Sequence, residues 1–347
     1  ADPRHEAERL AIFARFEGRN RLMAKHVAAW SELWERDIVI EGDLDAQRDV
    51  RFALYNLVAS VRAGSRRSIP PMGLSSMGYN GHIFWDAELW MVPPLFALHP
   101  ELARACLDYR LDRLDAARQK AAAHGFEGAM FPWESADTGE EVTPVWALTG
   151  TSEHHITACV GIAFWNYYRV TGDKTWLSAT GYPVLAQVAD FWVSRVEETE
   201  PGRYEIKNVV GADEYTGVVD NNAFTNGAAI TALRYATRAA EVLDLTPDPT
   251  WAEVAAGIPI PTFPDGTTRE YEGYDGGVVK QADVNLLAYP LGLITDEARI
   301  RQDIDAYEPR FDEDAPAMTH SVLATLAARL GDAERAYTLF KRSYQPN

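Results

Sequence analysis

Apolar residues recur at helical spacing along most of the chain. Leu107, Leu111 and Leu114 fall at i, i+4 and i+7 in a segment that opens with Pro100-Glu101 and stops before Gly125. Leu185, Val188, Trp192 and Val196 repeat that period, as do Leu323, Leu326 and Leu330 ahead of Gly331. An apolar stripe that returns with each helical turn, entered through Pro and left through Gly, predicts an amphipathic helix. The same pattern predicts helices near 20–35, 45–63, 84–97, 153–171, 222–244, 281–290, 294–308 and 332–344. Strand signals are few, and Arg203–Val210 reads as one arm of a short hairpin.

Between the helices lie long connections rich in Gly, Pro and polar residues, at 64–83, 125–151, 203–221, 257–280 and 309–317. Connections of that length inside a compact domain are usually functional. About eleven helices with alternating short and long connections predict an all-α fold of helical hairpins set in a ring. A linear α-solenoid fits the same periodicity.

Composition narrows the function. The chain has 347 residues, of which 47% are hydrophobic and 11% aromatic, enough for a large core and too many for disorder. Lys+Arg 33 against Asp+Glu 51 leaves a net charge of −18, and no basic cluster offsets it. An electrostatic nucleic-acid binder is therefore excluded. No run of 18 or more apolar residues occurs, which excludes a membrane-spanning helix. Cys106 and Cys159 alone cannot build a disulfide framework. The chain opens Ala1-Asp2-Pro3 with no initiator Met or signal region and stops at Gln345-Pro346-Asn347, so it is expected to be a piece of a longer protein.

The long loops share a chemistry. They hold Trp85-Asp86, Trp133-Glu134, Asp213-Glu214-Tyr215 and Lys280-Gln281. Sugars offer apolar ring faces to indoles and hydroxyl edges to carboxylates and amides, so Trp–carboxylate pairs on separate loops suit a sugar pocket. The same pairs also read as core aromatics beside capping acids. Glycoside hydrolysis needs one protonated carboxylic acid and a second carboxylate. Glu214 suits the acid, and crowding by Asp213, where the two side chains converge, would help keep it protonated. Glu153-His154-His155 does not read as a metal site, because adjacent residues of a helix point to different faces and no HExxH spacing is present. Nucleotide motifs are missing, Ser75-Ser76 lacks a nucleophile elbow, and Asp312-Glu313-Asp314 reads as a solvated acidic turn. No cofactor is called for.

Five strings occur in order: Gly-Tyr-Asn-Gly-His-Ile-Phe-Trp-Asp at 78–86, Gly-Ala-Met-Phe-Pro-Trp-Glu-Ser at 128–135, Val-Gly-Ala-Asp-Glu-Tyr at 210–215, Val-Asp-Asn-Asn-Ala-Phe-Thr-Asn at 219–226 and Val-Lys-Gln-Ala-Asp-Val at 279–284. Together they resemble the catalytic domain of glycoside hydrolase family 65, which holds maltose, trehalose and kojibiose phosphorylases and some α-glucoside hydrolases. The resemblance covers nearly the whole chain. It implies an (α/α)6 barrel, incomplete at its C-terminal end, and an inverting attack on a small α-glucoside. Carried over by position, Glu214 matches the general acid. Trp85, Asp86, Trp133, Glu134, Lys280 and Gln281 match residues that line the terminal glucose site, with Tyr215 and His154 beside them.

The resemblance leaves hydrolase and phosphorylase to be separated. The phosphorylases bind phosphate with a serine-rich turn ahead of a His-Ser pair. Here the residues before His320-Ser321 run Asp312-Glu313-Asp314-Ala315-Pro316-Ala317-Met318-Thr319. Carboxylates at that place repel phosphate. The hydrolase reading is therefore preferred, with a disaccharide phosphorylase that makes β-glucose 1-phosphate, or a non-catalytic glucoside-binding module, as alternatives. The hydrolases' general base is expected after the helix near Tyr344, where this chain stops. A β-sandwich domain is expected before the barrel in the parent protein. The remaining partners expected are those further domains, or a second chain carrying them, and a homodimer mate as the phosphorylases suggest.

Overall fold

The computed structural model describes residues 2–314 and 316–344; Ala315 and Gln345–Asn347, named above, lie outside the described residues. The chain divides after Tyr55 into two compact units.

In the first unit, α1 (Pro3–Leu33) begins under Asp2, whose carboxylate accepts the Arg4 N–H at 2.9 Å. Pro3 takes the first helical position, where its missing donor costs nothing. Gly18, at φ 74°, interrupts the helical backbone. The helix starts well before the expected residue 20. Leu10–Phe16 is apolar nearly all round, so it carries no single stripe to read. No residue of α1 is buried. Trp30 stacks on Tyr55 at 4.8 Å, and Gln47 ties together Ile38 O and Ile40 N. Helix α2 (Leu44–Ala59) continues through the division.

The second unit is a packed set of helices: α3 (Val92–Leu98), α4 (Pro100–Leu111), α5 (Leu114–Ala123), α6 (His155–Thr171), α7 (Lys174–Trp176), α8 (Tyr182–Arg195), α9 (Ala223–Val242), α10 (Pro249–Gly257), α11 (Glu297–Tyr307), α12 (Met318–Arg329) and α13 (Ala333–Arg342). Helices α6 and α9 form its centre. α6 packs on α3, α4, α8 and α9, and α9 on α8 and α10. Both are buried through most of their circumference, which is why their sequences read as apolar on more than one face. Gly227 lets α9 approach the next segment; a Cβ there would sit 2.2 Å from Leu287 Cδ2.

Two expectations are corrected. The segment 100–124 is two helices, broken at Asp112-Arg113. The helix expected over 281–290 does not form; only a 3-10 turn, Val284–Leu287, is present. Near its start the Ala282 N–H goes to Thr319 Oγ1 at 3.1 Å, the N–H groups of Leu286, Ala288 and Tyr289 close short turns on Asp283 and Asn285, and Pro290 offers no donor at all. The short hairpin is real: β1 (Glu197–Glu200) pairs antiparallel with β2 (Arg203–Glu205). Its second arm ends at Glu205, and the chain beyond it turns inward, where Val210 N donates to Ser152 O at 3.1 Å. No described helix is long and apolar enough to cross a membrane.

Candidate active site

Two loops bring the tryptophans together. Ile83 and Ser135 exchange backbone hydrogen bonds of 2.9 and 3.0 Å, so the strings at 78–86 and 128–135 run side by side. Trp85 and Trp133 then lie 6.4 Å apart, and His155 packs on both, at 5.0 and 5.4 Å. Phe224, from the first turn of α9, closes the cluster 5.0 Å from His155. Burial pushes the His155 imidazole down to about 3, so it is a neutral ring at physiological pH. Glu141 fixes the second loop: its carboxylate accepts the Trp133 N–H at 3.0 Å and the Glu134 N–H at 3.1 Å, and Lys120 pairs with it at 2.6 Å. The first loop is anchored by a buried pair, Arg110 with Glu88, at 2.7 and 3.0 Å, inside the π-turn Ala87–Met91 that directly follows Asp86.

Carboxyl groups surround this cluster. Glu134 is held by His82 Nδ1 at 2.7 Å, and burial still moves it above the ordinary carboxylate range against the pull of His82. Asp86 is pushed up to about 6, by burial first and then by the charges of Glu88 and Glu214. Glu153 is buried, with Oε2 lacking a hydrogen-bond partner and 3.5 Å from His155 Nε2. Burial, then the charge of Glu214, drive it well up; Lys280 opposes, and Asp86 and Glu134 add to the rise. Four side chains from four separate stretches of chain, Glu214, Lys280, Asp86 and Glu134, thus act on Glu153.

Glu214 comes from the far side. The 210–215 loop passes so close to α9 and the 280–283 segment that a Cβ on Gly211 would lie 2.3 Å from Asn222 Nδ2 and 2.7 Å from Asp283 Oδ2. Asp283 accepts the Ala212 N–H at 3.0 Å, the Asn222 amide at 2.9 Å and the Phe224 N–H at 3.2 Å. Asp213 Oδ1 accepts the N–H groups of Tyr215 at 3.1 Å and Lys280 at 2.8 Å. The buried Gln281 amide donates to Ala212 O. Glu214 itself stays partly exposed and pairs with Lys280 Nζ at 3.0 Å. The expected convergence of Asp213 on Glu214 is not what the geometry provides. Asp213 turns its carboxylate beneath the loop, and the neighbour of the Glu214 carboxylate is an ammonium.

Tyr215 is exposed and donates to Asp312 Oδ2 at 3.1 Å, which ties the acidic turn to the Glu214 loop. An open cleft of ≈ 460 Å³ runs along Gly276–Val278 and Pro309–Asp314 beside it. His154 points elsewhere: Arg195 Nε donates to its Nδ1 at 3.0 Å, and its ring lies against Phe191. The residue of that string that meets the tryptophans is His155. Sequence reasoning did not single out His82, Glu141, Glu153 or Asp283. His82 and Asp283 lie within the quoted strings, and Glu153 opens the Glu-His-His string, but nothing local distinguishes them. Among the described residues no group of three His, Cys, Asp or Glu is set to hold a metal ion.

A loop-borne acid, a paired lysine and buried tryptophans ringed by carboxyls define the class of a carbohydrate-active enzyme domain. Residues 51–256 match the glycosyl hydrolase family 65 central catalytic domain, and the chain belongs to that family. A kojibiose hydrolase of Mucilaginibacter mallensis is 55% identical over all of this chain and 51% of its own length. A kojibiose hydrolase of Flavobacterium johnsoniae is 52% identical over the same shares. The chain spans about half the length of the curated relatives it matches. A solved structure of a kojibiose phosphorylase candidate from the human microbiome shares the fold, with a TM-score of 0.86 over 98% of this chain and 54% of that one at 18% identity.

Proposed function

We propose that the protein carrying this chain is an inverting, exo-acting α-glucoside hydrolase that releases glucose from a small α-linked glucoside of the kojibiose type. Trp85, Asp86, Trp133, Glu134, Lys280 and Gln281 hold the non-reducing glucose, Gln281 through the backbone of Ala212 that it braces. Glu214 protonates the leaving glycosidic oxygen. Water, activated by a base, attacks the anomeric carbon from the opposite face and gives β-glucose. The convergence of Glu214, Lys280, Asp86 and Glu134 on the buried Glu153, beside Trp85 and Trp133, carries this reading. The names of the two most similar relatives cited support hydrolysis of kojibiose. The carboxylates of Asp312, Glu313 and Asp314 support water over phosphate, since an anion beside them meets like charge. We also read the second unit as an (α/α)6 barrel, on the serial packing of α3, α4, α6, α8, α9 and α10 and the likeness of fold.

Proton NMR of the full-length protein with kojibiose, nigerose, trehalose and maltose tests the reaction. β-Glucose appearing first, without phosphate, is expected. Glucose 1-phosphate formed only with phosphate present would replace the hydrolase by a phosphorylase. Saturable sugar binding without turnover on any linkage would replace it by a binding module.

A further inference from the structure

Glu270 lies beneath the Glu214 loop and takes no part in the site as described so far. Its backbone is stitched to the start of α9: Ala223 N donates to Glu270 O at 2.7 Å, and the Asn222 amide reaches the same oxygen at 3.3 Å. Its side chain is fully buried. The carboxyl group faces that of Asp213, also fully buried, within hydrogen-bonding reach. Neither oxygen of Glu270 nor Oδ2 of Asp213 has any other donor. Two carboxylates have no hydrogen between them, so contact in a site closed to water requires that one hold a proton.

Burial raises the Asp213 carboxyl as well, but its Oδ1 accepts two backbone N–H groups, which oppose that rise and favour its charged form. Glu270 accepts none. The other charged groups near the pair are Asp283, Arg310 and Lys280, with the phenols of Tyr271, Tyr274 and Tyr307 around Glu270. Burial, then the charges of Asp283 and Asp213, drive the Glu270 carboxyl far above its ordinary range, and Arg310 only partly opposes them.

We propose that Glu270 is a positioning residue for the Glu214 loop: it remains a neutral acid and donates its proton to Asp213 Oδ2. Asp213 is thereby held in the one orientation in which Oδ1 clasps Tyr215 N and Lys280 N, the backbone on either side of the Glu214–Lys280 pair. Glu214 sits between Asp213 and Tyr215, so a turn of the Asp213 carboxylate displaces the Glu214 and Lys280 side chains together. A neutral carboxylic acid kept as a donor in an enzyme site is a known device. The assignment rests on reading Glu214 as the acid.

The test compares Glu270→Gln, which keeps a donor that needs no proton, with Glu270→Leu, which has none, in the full-length protein. The first readout needs no turnover. A carboxyl whose folded-state value is raised contributes stability that is complete below its unfolded value and lost as pH rises toward the folded value. The unfolding midpoint of the parent should therefore fall relative to Glu270→Gln as pH rises from about 5 to about 9. A pH-independent difference would overturn the proposal while leaving the glucosidase reading intact. The second readout is kinetic. Glu270→Gln should keep kcat within about threefold, whereas Glu270→Leu should lose about 100-fold in kcat with little change in KM, the scale of a misplaced catalytic group. Equal loss in both variants would overturn it. Absence of turnover in the parent itself would overturn the glucosidase reading and leave the stability arm to decide the protonation of Glu270.

Discussion

The two sides of the site are held by different forces. On the Trp85–Trp133 side the rings of Trp85, Trp133 and His155 pack within 6.4 Å of one another, and Phe224 lies 5.5 Å from Trp85 and 5.0 Å from His155. The loop carrying Trp133-Glu134 hangs from Glu141 paired with Lys120. On the Glu214 side Asp213, Asp283, Gln281 and Asn222 grip backbone N–H and C=O groups at Lys280, Ala212 and Glu270. With His155 neutral, the ring packing itself changes little with pH near neutrality, whereas a lattice of buried carboxyls changes with each proton gained or lost. The first side is built as a wall of rings, and the second as a titratable frame for Glu214.

The largest break in that comparison comes from Glu214→Gln. It keeps the shape of the frame and removes the proton donor, so sugar binding stays near its original strength. Turnover should drop by about 100-fold or more. Near-normal turnover on any linkage would remove Glu214 from the acid's place. Trp85→Ala attacks the wall instead. Loss of a buried indole should cost about 3–5 kcal/mol of stability, read by denaturant unfolding, and sugar affinity should fall with it. A stable variant that still binds glucose would show that the wall does not need its largest member.

Glu141→Gln is a subtler probe of the wall. It leaves Lys120 without its ion pair while an amide oxygen still meets the backbone donors, and should cost about 1.5–3 kcal/mol of stability. Burial and Lys120 act on Glu141 in opposite senses, and its value lies below the ordinary range, so this contribution is present at neutral pH and fades as pH falls through that lowered value. Asp86 behaves in the reverse sense. Raised to about 6, it holds its proton below that pH and gives it up above. An ionised carboxylate accepts two sugar hydroxyls, so glucose affinity by calorimetry should weaken by up to about tenfold per unit below pH 6. An affinity flat from pH 7 to pH 5 would take Asp86 out of the sugar contacts. The smallest effect is expected from Tyr215→Phe, which removes one exposed hydrogen bond to Asp312 and should cost no more than about 1 kcal/mol.

Helical periodicity alone determined most of the fold, because an amphipathic stripe is a local property that survives without tertiary contacts. It failed where the local pattern is blank or misleading: Leu10–Phe16 is apolar nearly all round, and the 281–290 segment has a helical pattern but closes only short turns ahead of Pro290. Local chemistry left the Trp–carboxylate pairs open, since a core aromatic beside a capping acid reads the same way; the resemblance carried by five strings in order is what pointed to them. What tertiary structure decided is direction. Successive residues of a helix point about 100° apart, so only the placement of α6 settles that His155 meets the tryptophans while His154 meets Arg195. In the same way Asp213 turns under its loop and Glu214 turns outward, a choice fixed by the Lys280 backbone and by Glu270, which lie far along the chain. Periodicity and composition are read from neighbours in sequence; the direction of a side chain, and whether its proton stays, depend on charges and walls brought in from elsewhere.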